Sequence, residues 1–152
     1  MNQLTIEAAK KFDLPVALVA AIIKCESDGI TTATRFEPGF LARYIMKIPG
    51  LSSEVRKARS TSWGLMQVMG EVARGYGYKG LYSNLCIPEL GLYYGCLHLD
   101  NLKTRYLDKW GWDGVIASYN AGSPRTKDGK YVNQGYVDKV NKYWRRYDEL
   151  PG

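Results

Sequence analysis

One segment limits what this chain can be more than any other. Val16–Ile23 is an unbroken apolar run of eight residues, preceded by Asp13 and Pro15 and followed by Glu26. A membrane-spanning helix needs about 20 such residues, so the run belongs inside a folded domain. Asp13 as cap and Pro15 in the first turn predict a helix whose residues 18, 19, 22 and 23 form one buried face. Positions 19, 22 and 26 follow the i, i+3, i+7 spacing, which puts Glu26 on that face in the last turn. A carboxylate among apolar neighbours at the negative end of a helix is disfavoured in its charged form, and its pKa is expected to rise. A carboxylic acid kept protonated near neutral pH is what a general acid needs. The spacing leaves a second reading open, a helix-end glutamate that bends back to solvent or to a lysine.

The rest of the chain alternates helical patterns with loops. Leu4–Phe12 reads as a short amphipathic helix, and 28–63 is irregular, with a helical fragment expected at Phe40–Ile48. Gly64–Met69 is a short apolar run followed by a helical turn that ends at Gly75-Tyr76-Gly77. Pro88 opens a long helix to about Leu107, Asp113 is expected to cap a short one through Ala121, and Gly122 stops it. The last helix, Gln134–Tyr147, gathers Tyr136, Val137, Val140, Tyr143, Trp144 and Tyr147 on one face. No strand alternates cleanly beyond a few residues, so the fold class expected is mainly α. At 152 residues, 45% hydrophobic and 24% charged, the chain reads as a single folded domain spanning 1–152, and neither a disordered tail nor a fibre.

The net charge of +6 attracts polyanions without choosing among them. No basic block exceeds pairs such as Lys10-Lys11 and Arg145-Arg146, which argues against a nucleic-acid partner. Cys25, Cys86 and Cys96 lack metal or disulfide spacing and read as small buried hydrophobes, and His98 is the only histidine; no metal and no cofactor is expected. The segment Met1–Thr5 has neither a basic nor an apolar signal region, so no secretory signal is expected.

Two further constellations carry chemistry. In Trp63-Gly64-Leu65-Met66-Gln67-Val68 the glycine suggests close backbone approach, and the Gln67 amide needs a partner, either a sugar acetamido group or a neighbouring loop backbone. In Ala117-Ser118-Tyr119-Asn120-Ala121-Gly122, Tyr119 and Asn120 read either as a sugar-stacking and hydrogen-bonding pair or as a core tyrosine with a capping asparagine.

Glu26-Ser27, Gly64–Val68 and Ser118–Gly122, in this order, resemble the motif set of the soluble lytic transglycosylases. Gly91 and Tyr94 within Ile87–Leu97, and Gly135-Tyr136-Val137 with Val140, are similar to two further family segments, so the resemblance covers about residues 13–145. It implies a lysozyme-like fold, helical with a small irregular or β-hairpin segment at the cleft. It implies that Glu26 is the single catalytic acid/base, with Ser27, Glu37, Met66, Gln67, Tyr119, Asn120 and Tyr136 as substrate-binding residues. The implied partner is the glycan strand of bacterial peptidoglycan, attacked by a monomer that does not insert into membranes.

Two departures stand out. The stretch between Glu26 and Gly64 is longer than in a typical member, and Gly70 stands where the family often has proline. The strings Arg35-Phe36-Glu37-Pro38-Gly39-Phe40 and Ser62-Trp63-Gly64 are similar to ones in phage and prophage members. That likeness implies a lytic protein made in the host cytoplasm or carried by a virion, acting on the cell wall, in the periplasm of a Gram-negative host. Glu37 is either a second carboxylate that activates water, making the chain a hydrolytic muramidase, or a partner of Arg35 or Arg43. A non-catalytic wall-binding or nucleic-acid-binding domain is the remaining alternative.

Overall fold

The structure, a computed structural model, describes residues 2–150; Met1, the first residue of the segment read as lacking a signal, lies outside them, as do Pro151 and Gly152. The chain is mainly helical, as expected, and forms two compact units: residues 1–25 with 96–152, and residues 26–95.

The first unit is helical apart from one short hairpin. Helix α1, Gln3–Lys11, starts at Asn2, whose side chain accepts from the Thr5 amide at 2.9 Å. Helix α2, Val16–Ser27, buries Ala17, Leu18, Val19, Ala21 and Ile22, while Ile23 is half-buried. Asp13 does not cap α2. It sits at φ 53°, its amide bonds the Lys10 carbonyl, and the Leu14 amide bonds Ala9, so it closes α1 instead. The Pro15 carbonyl accepts the first amides of α2, from Leu18 and Val19.

The predicted helix from Pro88 runs on as α6, Pro88–Ala121, broken where Gly111 takes φ 69°. That glycine makes the division for which Asp113 was expected to serve as a cap. Asp113 lies inside the second segment and accepts from the Asn141 amide at 2.8 Å. Gly122 ends the helix at φ 87°, as the sequence suggests. The antiparallel strands β4, Thr126–Lys127, and β5, Lys130–Tyr131, precede α7, Gln134–Asp148, which buries Val137 and Val140.

The second unit holds what the sequence left irregular. Strands β1, Thr34–Phe36, β2, Thr61–Trp63, and β3, Val68–Met69, form an antiparallel sheet in that order. Two- and three-residue strands are too short to show alternation, which is why the sequence concealed them. The fragment expected at Phe40–Ile48 is a turn of α-helix, α3 at Pro38–Phe40, followed by a π-helical turn at Leu41–Ile45. Helix α4, Ser53–Arg59, is capped by the Ser52 side chain, and α5, Gly70–Gly75, follows β3. A 3₁₀ turn, Tyr82–Cys86, leads into α6.

Polar side chains tie this unit together. The Arg56 guanidinium donates to the carbonyls of Ile45, Ile48 and Leu51 at 2.6, 2.7 and 3.2 Å. Arg59 makes a two-bond pair with Glu71, each bond 3.0 Å, and Arg74 bonds the same carboxylate. Burial acts to raise the Glu71 carboxyl, but the hydrogen bonds from Arg74 and Arg59 overcome it and hold the group below the ordinary range. Gly70, at the position where proline is frequent, has a reason here: a Cβ would collide with the Ala58 carbonyl oxygen at the end of α4.

Of the cysteines only Cys96 is the buried hydrophobe expected, its thiol pushed up to about 12 by burial; Cys25 and Cys86 are half-buried.

Candidate active site

Glu26 is the penultimate residue of α2 and is half-buried, on the stripe of Val19 and Ile22, both fully buried. Ser27 follows it and is itself buried. Its hydroxyl donates to the Leu65 carbonyl at 2.7 Å and accepts from the Gly29 amide at 3.2 Å. The residue beside the candidate acid thus grips the Gly64–Gln67 turn, 38 positions further along the chain.

That turn is built on two left-handed residues. Gly64 has φ 74° and Gln67 φ 52°, and the Gln67 amide closes onto the Gly64 carbonyl at 3.1 Å. Only glycine fits at 64, since a Cβ would stand 2.6 Å from the Leu85 carbonyl oxygen. The Gln67 side chain spends both donors on backbone: Nε2 bonds the carbonyls of Ala33 at 2.9 Å and Gly64 at 3.0 Å. The loop-backbone reading of its amide is therefore realised, and the acceptor Oε1 has no partner among the described residues.

Met66 corrects an expectation. It is fully buried, against Gly95, where a Cβ would run into its sulfur. A side chain with no exposed surface cannot line a saccharide groove, so Met66 is core packing beneath the turn.

Glu37 ends β1. Its amide bonds the Ser60 carbonyl at 2.8 Å, and its carboxylate accepts from Arg35 Nε at 2.7 Å. Of the two partners proposed from sequence, Arg35 is the one found.

In the helical unit, Tyr119 is half-buried with its ring 5.5 Å from that of His98. Burial, then the charge of Arg105, pushes the His98 pKa down to about 4, so the imidazole is neutral at physiological pH. Asn120 is exposed, and its side-chain oxygen accepts from Asn133 at 3.0 Å. The same Asn133 nitrogen bonds the Ala117 carbonyl, while its oxygen is buried without a partner. Tyr136 is half-buried in the first turn of α7. Sequence reasoning missed Asn133, whose side-chain nitrogen joins Asn120 to the Ala117 carbonyl; its place just before the Gly135-Tyr136-Val137 segment was the available signal.

Among the described residues no group of His, Cys, Asp or Glu is arranged to hold a metal ion, and no helix is long and apolar enough to cross a membrane. The structure therefore brings together Glu26, Ser27 and the Gln67 turn in one unit, and Tyr119, Asn120 and Asn133 in the other.

No curated protein and no solved structure matches the chain. The family model of the transglycosylase SLT domain matches residues 3–141. On a match over nearly its whole length, the chain belongs to the transglycosylase SLT domain family, with a mainly helical, lysozyme-like fold and the peptidoglycan-degrading function of that family.

Proposed function

We propose that this chain is a lytic transglycosylase that cleaves the β-1,4 bond between N-acetylmuramic acid and N-acetylglucosamine, with Glu26 as its single acid/base. The observation that carries the reading is the placement of Glu26: half-buried, at the end of an apolar helix, beside a serine that holds the Gln67 turn. The protonated Glu26 carboxyl gives its proton to the glycosidic oxygen, and the muramyl C1–O bond breaks. The 2-acetamido oxygen of the substrate stabilises C1. Glu26, now ionised, takes the proton of the muramyl C6 hydroxyl as O6 bonds C1. The products are a free 4-hydroxyl on N-acetylglucosamine and a 1,6-anhydromuramyl end; Glu26 is again protonated and no water is consumed. Orientation of the C6 hydroxyl replaces a bound water.

Gln67 Oε1, Tyr119, Asn120 and Tyr136 contact the glycan, while Ser27 holds the turn that presents Gln67. The ion pair between Arg35 and Glu37 supports a loop-holding role for Glu37 rather than water activation. The strings shared with phage members support a lytic role against a bacterial wall, by a monomer that needs no cofactor.

The test is the mass of the released fragments in water labelled with heavy oxygen. Anhydro ends, lighter by one water and unlabelled, are expected. Glu26→Gln should lower the rate by about 10²–10⁴-fold with an unchanged circular dichroism spectrum. Labelled, hydrated reducing ends as the first product would overturn the mechanism, and undiminished activity in Glu26→Gln would overturn the residue assignment.

A further inference from the structure

The sheet unit contains a pocket of about 380 Å³ outside the residues discussed so far as substrate contacts. Thr34 and Phe36 of β1 and Thr61 and Trp63 of β2 line it; they are alternate residues, paired Thr34 to Trp63 and Phe36 to Thr61, and so share one sheet face. Glu54 and Lys57 of α4 complete the wall. Glu26-Ser27, Gly64–Val68 and Ser118–Gly122 contribute no lining residue, whereas Phe36 and Trp63 belong to the two strings similar to phage and prophage members. The pocket is built from the stretch between Glu26 and Gly64.

The walls are fixed before any ligand arrives. Trp63 Nε1 donates to the Ala58 carbonyl at 3.0 Å and Thr61 Oγ1 to the Lys57 carbonyl at 2.7 Å, so the sheet face is tied to the last turn of α4. The Lys57 ammonium stands 5.7 Å from the centre of the Phe36 ring. Phe36 keeps 37% of its surface exposed, unusual for a phenylalanine whose strand pairs with β2.

The chemistry of these walls selects a ligand class. Two aromatic rings offer apolar surface, and the rim carries one carboxylate and one ammonium, with no net charge. An anionic polymer would meet Glu54 and a cationic one Lys57. A neutral ring with one apolar C–H face and polar edges meets no repulsion, its hydroxyls donating to Glu54 and an acetamido carbonyl accepting from Lys57. We infer that this pocket holds an N-acetylhexosamine unit of the glycan strand, giving the enzyme a second grip on polymeric substrate. The choice of glycan rests on the function proposed above; the pocket itself does not.

The test has two arms. In Glu26→Gln protein, N-acetylglucosamine tetrasaccharide is titrated while the Trp63 indole N–H resonance, assigned by its loss in Trp63→Phe, is followed by NMR. A saturable shift that weakens about five- to tenfold in Phe36→Ala is expected. On long glycan strands, Phe36→Ala and Lys57→Ala should raise KM by a similar factor with kcat unchanged. Lys57 is exposed, so Lys57→Ala carries the test should Phe36→Ala fold poorly. An indole resonance that ignores the tetrasaccharide, or one that moves only with the free stem peptide, overturns the inference, as does an unchanged KM in a folded Lys57→Ala. If wild-type protein releases no wall fragments, the proposed function fails, yet the titration still decides the pocket.

Discussion

The two units hold their shape by different means. In the helical unit, side chains such as Leu18, Val19, Ile22, Leu99, Ile116, Val137 and Val140 are buried at helical spacing, and most polar bonds reach back a single turn, as Ser118 Oγ does to Gly114. In the sheet unit, single polar side chains close long loops onto backbone carbonyls: Ser27 on Leu65, Gln67 on Ala33, Arg56 on three carbonyls of the 45–51 loop. A periodic apolar face tolerates the loss of one contact, because its neighbours share the burial. A loop held by one guanidinium does not. Point substitutions of polar residues should therefore damage the sheet unit far more than the helical one.

The largest effect should come from Arg59→Ala. Arg59 is nearly buried and pairs with Glu71 through two bonds. Its removal leaves a partly buried carboxylate to Arg74, whose own side chain is half exposed. Breaking such a pair is expected to destabilise the protein by about 3 kcal/mol, read by chemical denaturation. A loss below about 1 kcal/mol would show that the sheet unit does not depend on its polar ties.

His98 tests the helical unit through pH. Its pKa is lowered to about 4 in the folded protein against 6.5 in an unfolded chain. The unfolded state therefore binds the proton first. The stability contributed by the neutral imidazole is fully present above pH 6.5 and falls as pH drops toward 4. At pH 5 the loss should be roughly 2 kcal/mol relative to pH 7. The check is the pH dependence of stability in wild type against His98→Asn, which should lack this component. Identical slopes would mean that His98 is as solvated as in the unfolded chain.

Gln67→Ala and Asn133→Ala set a side chain of the sheet unit against one of the helical unit. Gln67→Ala removes two bonds to backbone carbonyls and should destabilise by about 1–2 kcal/mol, with activity falling further than binding of the turn alone requires. Asn133→Ala also removes two bonds, but it takes away a buried oxygen that has no partner, which offsets part of the loss. Its stability should drop by under about 1 kcal/mol. Equal losses would erase the distinction between a turn held by its side chain and a helix end trimmed by one.

What the sequence disclosed follows the same divide. The helices from Val16, Pro88 and Gln134 announced themselves through apolar period, proline and glycine, and α2 carried Glu26 to a legible place. The sheet was hidden, because strands this short have no period and the bonds that fix them join residues 34 and 38 positions apart. Met66 was assigned to the groove by the resemblance alone; its burial depends on Gly95, far along the chain, which makes room for the sulfur. Asp13 was misassigned because a left-handed aspartate closing one helix and an aspartate capping the next look alike when only the four residues 12–15 separate the helices.

The smallest effect belongs to the ion pair at the end of β1, and it decides what Glu37 does. Arg35 is 65% exposed and Glu37 30%, so the pair is screened by water and worth about 0.5 kcal/mol at most. Arg35→Gln should barely move stability. If Glu37 only holds its loop, it does so chiefly through backbone, its amide on Ser60 and its carbonyl under Leu41, neither of which a side-chain change removes. Glu37→Gln and Arg35→Gln should then behave alike, each with a modest loss of rate and with anhydro ends still the product. If Glu37 were a base, the two would part: Glu37→Gln would stop fragment release altogether, while Arg35→Gln would free the carboxylate from its partner and leave release intact or faster. Fragment masses for the two variants, measured side by side, separate these outcomes even though neither substitution is visible in a melting curve.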